Sequence, residues 1–232
     1  GGPARQFINF LQSARQQIWQ MLPLVPVDDG GCPYNSTSAL AYNVKLVDLA
    51  DLCSSVFGKL LSVEDLTDAP QAKDPSHVDF AMARKYKSEK IALAYSRMIK
   101  VETDLQSAML DEFTAFCKNE SSWLDDLSLF EALQEALGEP LWQSWPVEIR
   151  DRNPKAMLEF RKKLSKEIKI IQFGQFLFRK QWELLHEKAR IAGVKLMGDV
   201  PIFVSLNSVD VWANREMFQL DSEAKPKAVA GV

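Results

Sequence analysis

The chain has 232 residues, of which 47% are hydrophobic and 25% are charged, a composition that indicates a globular protein with a packed core rather than a disordered one. It carries 28 Lys and Arg against 31 Asp and Glu, and the resulting net charge of −3 argues against nucleic acid as the main partner. No apolar run approaches the roughly 20 residues of a membrane helix, so no membrane partner is expected. Three widely separated cysteines without zinc-ligand spacing, Cys32, Cys53 and Cys117, predict free thiols in a reducing compartment, which we take to be the cytoplasm.

The N-terminal part of the chain predicts a helix, then a strand, then a loop. Pro3 suits the first turn of a helix, and apolar residues recur at helical spacing over residues 7–14. The sequence IWQMLPL, residues 18–24, is short, apolar and bounded by prolines, which predicts a buried strand. Glycine, proline and small polar residues predict a loop over residues 27–43.

Helical patterns dominate the long stretch from residue 46 to residue 190. Ser62, with Asp65 three residues later, forms a near capping box. Ser122 is a predicted cap for the segment WLDDLSLFEALQEAL, which ends at Gly138 as helices often do.

A second helical segment is predicted to begin at Asn153, with Pro154 in its first position, and to run to about residue 192. Gly174 marks a predicted interruption, and Gly193 the end. The apolar run KLMGDVPIFV, residues 195–204, follows as a second predicted strand. The order helix, strand, helical block, strand favours an α/β fold with a parallel sheet. Because two strands are too few for such a sheet, we expect a piece of a longer protein.

Asp199 stands inside the second predicted strand, just before Pro201, where a regular strand would carry neither. Ligand-binding groups in α/β folds lie at the carboxyl ends of strands, which makes Asp199 a candidate binding residue. The alternative is a buried carboxylate that accepts hydrogen bonds from backbone amides. Tyr34, in the loop after the first strand, could stack on a sugar and hydrogen-bond to it, although such loops often satisfy only their own turns. The residues alone leave both alternatives open.

The remaining aromatic and titratable residues predict structural roles. The tryptophans of the helical block occur at helical spacing and are expected in the core rather than at a carbohydrate site: Trp123, Trp142, Trp145 and Trp182. His77 and His186 stand alone, without a metal-ligand pattern of Cys, His or Asp around them, and are expected at the surface or at helix caps. Without a phosphate-binding glycine loop, a nucleophile elbow or a metal-ligand pattern, we expect no cofactor and no metal.

One long motif carries a family resemblance. The sequence GDVPIFV, followed by SLNSVDVWANREMFQLD, resembles a signature of the amylomaltases, the 4-α-glucanotransferases of glycoside hydrolase family 77. Further blocks occur in the order found in that family, so that the resemblance covers essentially the whole chain: WQMLPL, PYNSTSALAYNVKLVDL, WLDDLSLFEAL, WQSWP and FGQFLFRKQW.

The resemblance implies an α/β fold, a partial (β/α)₈ TIM barrel with a large helical insertion. Residues 1–50 would form one barrel segment with the substrate loop, residues 51–153 the helical insertion, and residues 154–232 a second barrel segment. The two predicted strands would then be the second and third strands of the barrel.

The resemblance also implies a function and two site residues. The substrate would be an α-1,4-glucan, cleaved and transferred by a retaining double displacement. Tyr34 would pack against the bound glucan and Asp199 would belong to the substrate site. The nucleophile and the acid/base are expected beyond residue 232, so the chain alone is expected to be inactive.

The chain departs from the family pattern at several positions near this site. Cys32 replaces a serine, Tyr42 a glycine and Val44 a proline. Asn207 replaces an aspartate, which removes a charge, so no role is carried over to it. Two alternatives remain: a catalytically dead glucan-binding homologue, which lost downstream carboxylates would reveal, and a helical interaction module, which an exposed apolar helix face would indicate.

Overall fold

The structure of the protein is a computed structural model that describes residues 1–27, 30–71, 74 and 76–228. Asp28 and Asp29 of the predicted loop lie outside the described residues. The fold is mostly helical, with α1 at Gly2–Ser13, α2 at Phe80–Met98, α3 at Asp104–Asn119, α4 at Ser121–Leu137, α5 at Val147–Arg150, α6 at Pro154–Lys163, α7 at Ser165–Ile191 and α8 at Val209–Ala213. The strands are β1 at Ile18–Gln20 and β2 at Lys195–Met197. Short 3₁₀ helices lie at Val44–Leu46, Leu49–Cys53, Ser55–Phe57, Glu64–Leu66, Trp142–Ser144 and Arg215–Met217.

The two strands pair in parallel, with Trp19 opposite Leu196. The parallel arrangement predicted from the element order is therefore confirmed, but both strands are much shorter than the apolar runs that predicted them. The strands are also exposed, since Ile18 of β1 is 57% and Met197 of β2 47% accessible to solvent. The prediction that residues 18–24 form a buried strand is therefore wrong. A parallel strand is buried only where both of its faces are covered, which is not the case for β1 and β2 in the described part of the chain.

The strands rest on a small apolar cluster between α1 and α7. This cluster consists of Ile8, Leu11, Leu185, Ala189 and Val194, with Trp19 and Leu196 packed against it. Gly193 adopts φ +73° after the end of α7, a conformation that favours glycine, and the chain turns there into β2. The helical block between β1 and β2 is therefore a crossover connection that joins two parallel strands.

The main core joins the helical block to the last part of the described chain. Phe113 on α3 packs edge-on against Phe173 on α7, with ring centroids 5.6 Å apart. Trp145 lies against Trp212 of α8 at 5.6 Å. The prediction that the tryptophans belong to the core is confirmed: Trp142 and Trp145 are buried, and Trp123 and Trp182 are partly buried against the core clusters. Across the described ranges, no helix is long and apolar enough to cross a lipid bilayer.

Some predicted helix boundaries are confirmed and others are wrong. The Asn153 side chain accepts a hydrogen bond from the backbone amide of Lys155 at 3.0 Å and begins α6, as expected. The interruption of the following segment, however, falls at Leu164 instead of Gly174, which lies inside α7. A Cβ at Gly174 would stand 3.2 Å from Val44 Cγ1, so this glycine serves close packing. Helix α4 begins after Glu120 without a side-chain cap, which makes the predicted Ser122 cap wrong.

Candidate functional site

Tyr34 and Asp199 lie together at the carboxyl ends of the two parallel strands. The Tyr34 hydroxyl donates a hydrogen bond to Asp199 Oδ2 at 2.7 Å, although the two residues are 165 positions apart in the sequence. Both side chains are exposed, and Tyr34 retains 47% of its accessible surface. The structure thus brings the two candidate site residues into direct contact at one surface.

The environment of Asp199 is polar and open to solvent. Its Oδ1 accepts a hydrogen bond from the backbone amide of the next residue, Val200, at 2.8 Å. This contact fixes the carboxylate relative to its own backbone. Because Asp199 is exposed, the alternative of a buried structural carboxylate does not describe it.

The hydrogen bond to Asp199 also affects the chemistry of Tyr34. Donation to a carboxylate stabilises the neutral phenol, and this bond raises the pKa of Tyr34 above its ordinary value, with smaller contributions from burial and from the charge of Asp199. Tyr34 therefore keeps its proton at neutral pH. The pair offers one carboxylate with further acceptor capacity beside an aromatic ring, a combination suited to sugar hydroxyls and a sugar face.

An apolar segment follows Asp199 along the chain. Ile202 is 91%, Phe203 72% and Val200 66% exposed to solvent. The strand predicted over residues 195–204 is shorter than expected, since β2 ends at Met197, and the prediction that Asp199 lies inside the strand is wrong. Pro201 lacks a backbone amide hydrogen, which disfavours its placement within a sheet ladder.

The segment containing residues 32–43, here called the substrate loop after the role that the family resemblance implies for it, is held from two sides. On one side, Gln175 of α7 accepts a hydrogen bond from the backbone amide of Tyr42 at 2.8 Å and donates one to its carbonyl at 3.1 Å. On the other side, Asp210 of α8 accepts from the backbone amide of Ala39 at 2.9 Å. The sequence analysis did not identify Gln175 or Asp210 as contacts of this loop. Two features could have indicated them: Gln175 is a polar residue in an apolar stretch of α7, and Asp210 is an aspartate inside the family signature.

An apolar groove of about 560 Å³ lies beside the substrate loop. It extends between β1, the start of the loop and α7, and Trp19, Leu22, Pro33 and Trp182 are among its lining residues. Tyr34 and Asp199 are not among them. The candidate site is therefore an open surface next to this groove.

The other residues considered as ligands or reactive groups lie apart from one another. Within the described ranges, no group of three His, Cys, Asp or Glu residues is placed to hold a metal ion, and the three cysteines are thiols. Exposed His77 contacts Asp74 at 2.8 Å, and exposed His186 packs edge-on against Trp182, which confirms the predicted surface positions. Asn207 has a buried Oδ1 without a hydrogen-bond partner.

Comparison with known proteins identifies relatives over the full length of the chain. A family model described as 4-alpha-glucanotransferase, of glycoside hydrolase family 77, matches residues 1–232. The chain is 38% identical over 232 residues to the 4-alpha-glucanotransferase of Thermus thermophilus and 39% identical over 233 residues to that of Synechocystis. A chloroplastic/amyloplastic 4-alpha-glucanotransferase of Arabidopsis thaliana is 37% identical.

A solved structure shares the fold. The amylomaltase of Streptococcus agalactiae, determined in complex with acarbose, superposes with a TM-score of 0.90 at 34% sequence identity and covers 99% of this chain. The chain spans about half the length of these proteins: 45% of the amylomaltase, 44% of the Thermus relative and 45% of the Synechocystis relative. The chain therefore belongs to the 4-α-glucanotransferase family, glycoside hydrolase family 77.

Proposed function

We propose that this chain forms the sugar-binding part of a 4-α-glucanotransferase in which Tyr34 and Asp199 hold one glucose unit of an α-1,4-glucan. The observation that carries this proposal is the 2.7 Å hydrogen bond between Tyr34 and Asp199 at the carboxyl ends of parallel strands. Their exposure, together with membership of a glucanotransferase family, favours a ligand-binding role over a structural one.

The two residues would act on different features of the sugar. The Tyr34 ring offers an apolar face against which a pyranose can pack. Each oxygen of an ionised carboxylate can accept more than one hydrogen bond, so Asp199 can receive a sugar hydroxyl while it remains bonded to Tyr34 and to Val200. A pre-formed pair reduces the side-chain entropy that binding would otherwise cost.

The whole protein would cleave an α-1,4 bond and transfer the released segment to the 4-hydroxyl of another sugar. In a retaining double displacement, one carboxylate attacks the anomeric carbon and a second, about 5–5.5 Å away, protonates the leaving oxygen. We assign both carboxylates to the part of the family length that this chain does not span. Transfer prevails over hydrolysis where the cleft excludes water and favours a sugar acceptor.

The same proposal extends to architecture and setting. Residues 1–50 and 154–232 would be segments of a (β/α)₈ barrel, with residues 51–153 as a helical insertion. The parallel pairing of β1 and β2 across the helical block supports this division. The proposed partner is a maltooligosaccharide, without a cofactor, metal, nucleic acid or membrane, and the proposed location is the cytoplasm, although the Arabidopsis relative is named chloroplastic/amyloplastic.

A pair of matched variants of the full-length protein tests the proposal. Tyr34→Phe removes the hydroxyl that contacts Asp199, whereas Tyr42→Phe removes a hydroxyl on the same loop that contacts Arg179 instead. With maltotriose as donor and acceptor, we expect Tyr34→Phe to lower kcat/KM for glucose release about tenfold, the effect of roughly 1.4 kcal/mol. Tyr42→Phe should stay within about twofold of the wild type.

The outcomes separate the alternatives. Equal effects of the two variants would contradict the assignment of Tyr34. A wild-type protein that binds maltotriose in calorimetry without releasing glucose would be the catalytically dead homologue. A protein that neither binds nor converts it would refute the sugar-binding proposal and favour a helical interaction module.

A further inference from the structure

The substrate loop is joined to the segment that follows Asp199 by two hydrogen bonds. The backbone amide of Val209 donates to the carbonyl of Thr37 at 2.9 Å. One residue further, Asp210 Oδ2 accepts from the backbone amide of Ala39 at 2.9 Å, across 171 positions of sequence. These contacts lie between Tyr34 and the point where the loop meets α7, so they restrain the half of the loop that carries Tyr34.

The side chain of Asp210 is placed for this contact by α8. Ser208 is fully buried at the N-terminus of the helix, where its hydroxyl accepts from the backbone amide of Val211 at 3.3 Å. Val211 and Trp212 anchor the helix in the main core. Asp210 directly precedes these two residues in α8 and is partly buried, and its carboxylate contacts the loop. A short helix that is anchored in the core therefore presents a carboxylate acceptor to the loop.

The contact joins a partly buried carboxylate to a backbone amide. Bonds in which the acceptor is ionised are stronger than neutral ones, and partial burial of Asp210 reduces competition from water. Burial also raises the pKa of Asp210, and the amide of Ala39 opposes that shift because it stabilises the charged form. Helix α8 has its own cap in Ser208, so the Asp210 side chain is available to the loop.

We propose that Asp210 is a positioning residue for sugar binding, which fixes the substrate loop through Ala39 so that the Tyr34 hydroxyl stays on Asp199. The assignment rests on the proposed function of Tyr34 and Asp199. Asp210 would not touch the sugar. It would act by restricting the positions of the Tyr34 ring, which lowers the entropy lost when a glucan binds.

Three variants of the full-length protein separate positioning from general stability. Asp210→Ala removes the acceptor, and Asp210→Asn keeps an oxygen that can accept from the Ala39 amide. Thr103→Ala removes the side-chain cap of α3, far from the loop in sequence, and serves as the control for a modest loss of stability.

Kinetics with maltotriose provide the first measurement. We expect Asp210→Ala to raise KM about five- to tenfold with kcat within about twofold, because the variant weakens sugar binding without altering the reacting groups. Asp210→Asn, whose neutral side-chain oxygen can still accept from the Ala39 amide, should raise KM clearly less than Asp210→Ala does. Thr103→Ala should lower the melting temperature and leave KM unchanged. An unchanged KM in Asp210→Ala, or equal defects in the Ala and Asn variants, would overturn the proposal.

Titration of Tyr34 provides a second measurement that does not depend on activity. With ¹³C at tyrosine Cζ, the Tyr34 signal can be assigned by its loss in Tyr34→Phe. The pKa of Tyr34 should fall toward its ordinary value in Asp210→Ala, because the hydrogen bond to Asp199 is then made for less of the time. A Tyr34 pKa equal to that of the wild type would overturn the positioning role. A wild-type protein that neither binds nor converts maltotriose would instead refute the proposed function, and this titration would still decide whether Asp210 positions Tyr34.

Discussion

Gln175, buried in the middle of α7, makes two hydrogen bonds to the backbone of Tyr42. Its side-chain oxygen accepts from the Tyr42 amide, and its side-chain nitrogen donates to the Tyr42 carbonyl. Six residues later on the same helix, Gln181 makes the same pair of contacts to Asp48, with distances of 2.8 and 2.7 Å. Both pairs span 133 positions of sequence. Helix α7 thus satisfies the backbone of a long irregular segment by means of side chains, as a neighbouring strand would do with its backbone.

Replacement of Gln175 by leucine should destabilise the protein strongly. The amide and carbonyl of Tyr42 would lose their partners in a site too buried for water to replace them fully, at a cost of about 2–4 kcal/mol. Urea unfolding followed by circular dichroism measures the loss. Gln12→Leu, at an exposed position of α1, controls for the change of residue type and should cost little. A similar stability of the two variants would contradict the role assigned to Gln175.

Replacement of Asp199 by asparagine should impair activity and leave stability nearly unchanged. The variant keeps the shape of the side chain and removes its charge, and a hydrogen bond to a charged acceptor contributes about 1.5–3 kcal/mol. In the full-length protein we expect kcat/KM for maltotriose to fall about 10- to 100-fold. The melting temperature should change little, since Asp199 is exposed. Normal activity with a large drop in melting temperature would mean that Asp199 supports the fold.

Glu131 on α4 should make stability depend on pH near neutrality. Burial, and secondarily the charge of Glu135, raise the pKa of Glu131 to about 7. Between the unfolded value, about 4.3, and 7, the folded state binds more protons than the unfolded one, so this residue lowers stability as pH rises through that window.

Glu131→Gln removes this titration and tests the effect. The variant should be more stable than the wild type at pH 8 by about 1–3 kcal/mol. This value is smaller than the free energy that corresponds to the whole pKa shift of Glu131, because the side chain is only partly buried and solvent screens it. At pH 4 the difference should nearly vanish. Exposed Glu89→Gln on α2 is the control, and a pH-independent gain in Glu131→Gln would refute the explanation.

The capping box predicted at Ser62 and Asp65 should have the opposite dependence on pH. Asp65 accepts two hydrogen bonds from Arg97 of α2, at 2.5 and 2.9 Å, and one from the backbone amide of Ser62 at 2.7 Å. The Arg97 contact lowers the pKa of Asp65 well below its usual range. Its contribution is therefore present above about pH 4 and is lost as pH falls further.

Asp65→Asn should thus lower the free energy of unfolding by about 1–3 kcal/mol at pH 7, because Arg97 loses the carboxylate to which it donates. The difference from the wild type should shrink as acid protonates Asp65, which urea unfolding between pH 7 and pH 3 would record. A constant difference across that range would show that packing, and not charge, accounts for the loss.

The sequence by itself determined the local features of this protein. Helical periodicity, Pro3, Asn153 and Gly193 marked helices and their ends, because these signals act over a few residues and need no distant partner. The spacing of the tryptophans predicted a core position for the same reason. The order of the elements predicted parallel strands, and Asp199 and Tyr34 became candidates because each follows or ends a predicted strand.

The tertiary structure alone decided which distant groups meet. Apolar runs cannot show where a strand stops, since β1 and β2 end where their pairing ends, and Gly174 stays helical because Val44 packs against it. Gln175 and Asp210 have no local signature for their roles, since each serves a backbone amide more than 130 positions away. Such contacts depend on how whole elements are placed relative to one another, and that placement is fixed only when the helices pack into a common core.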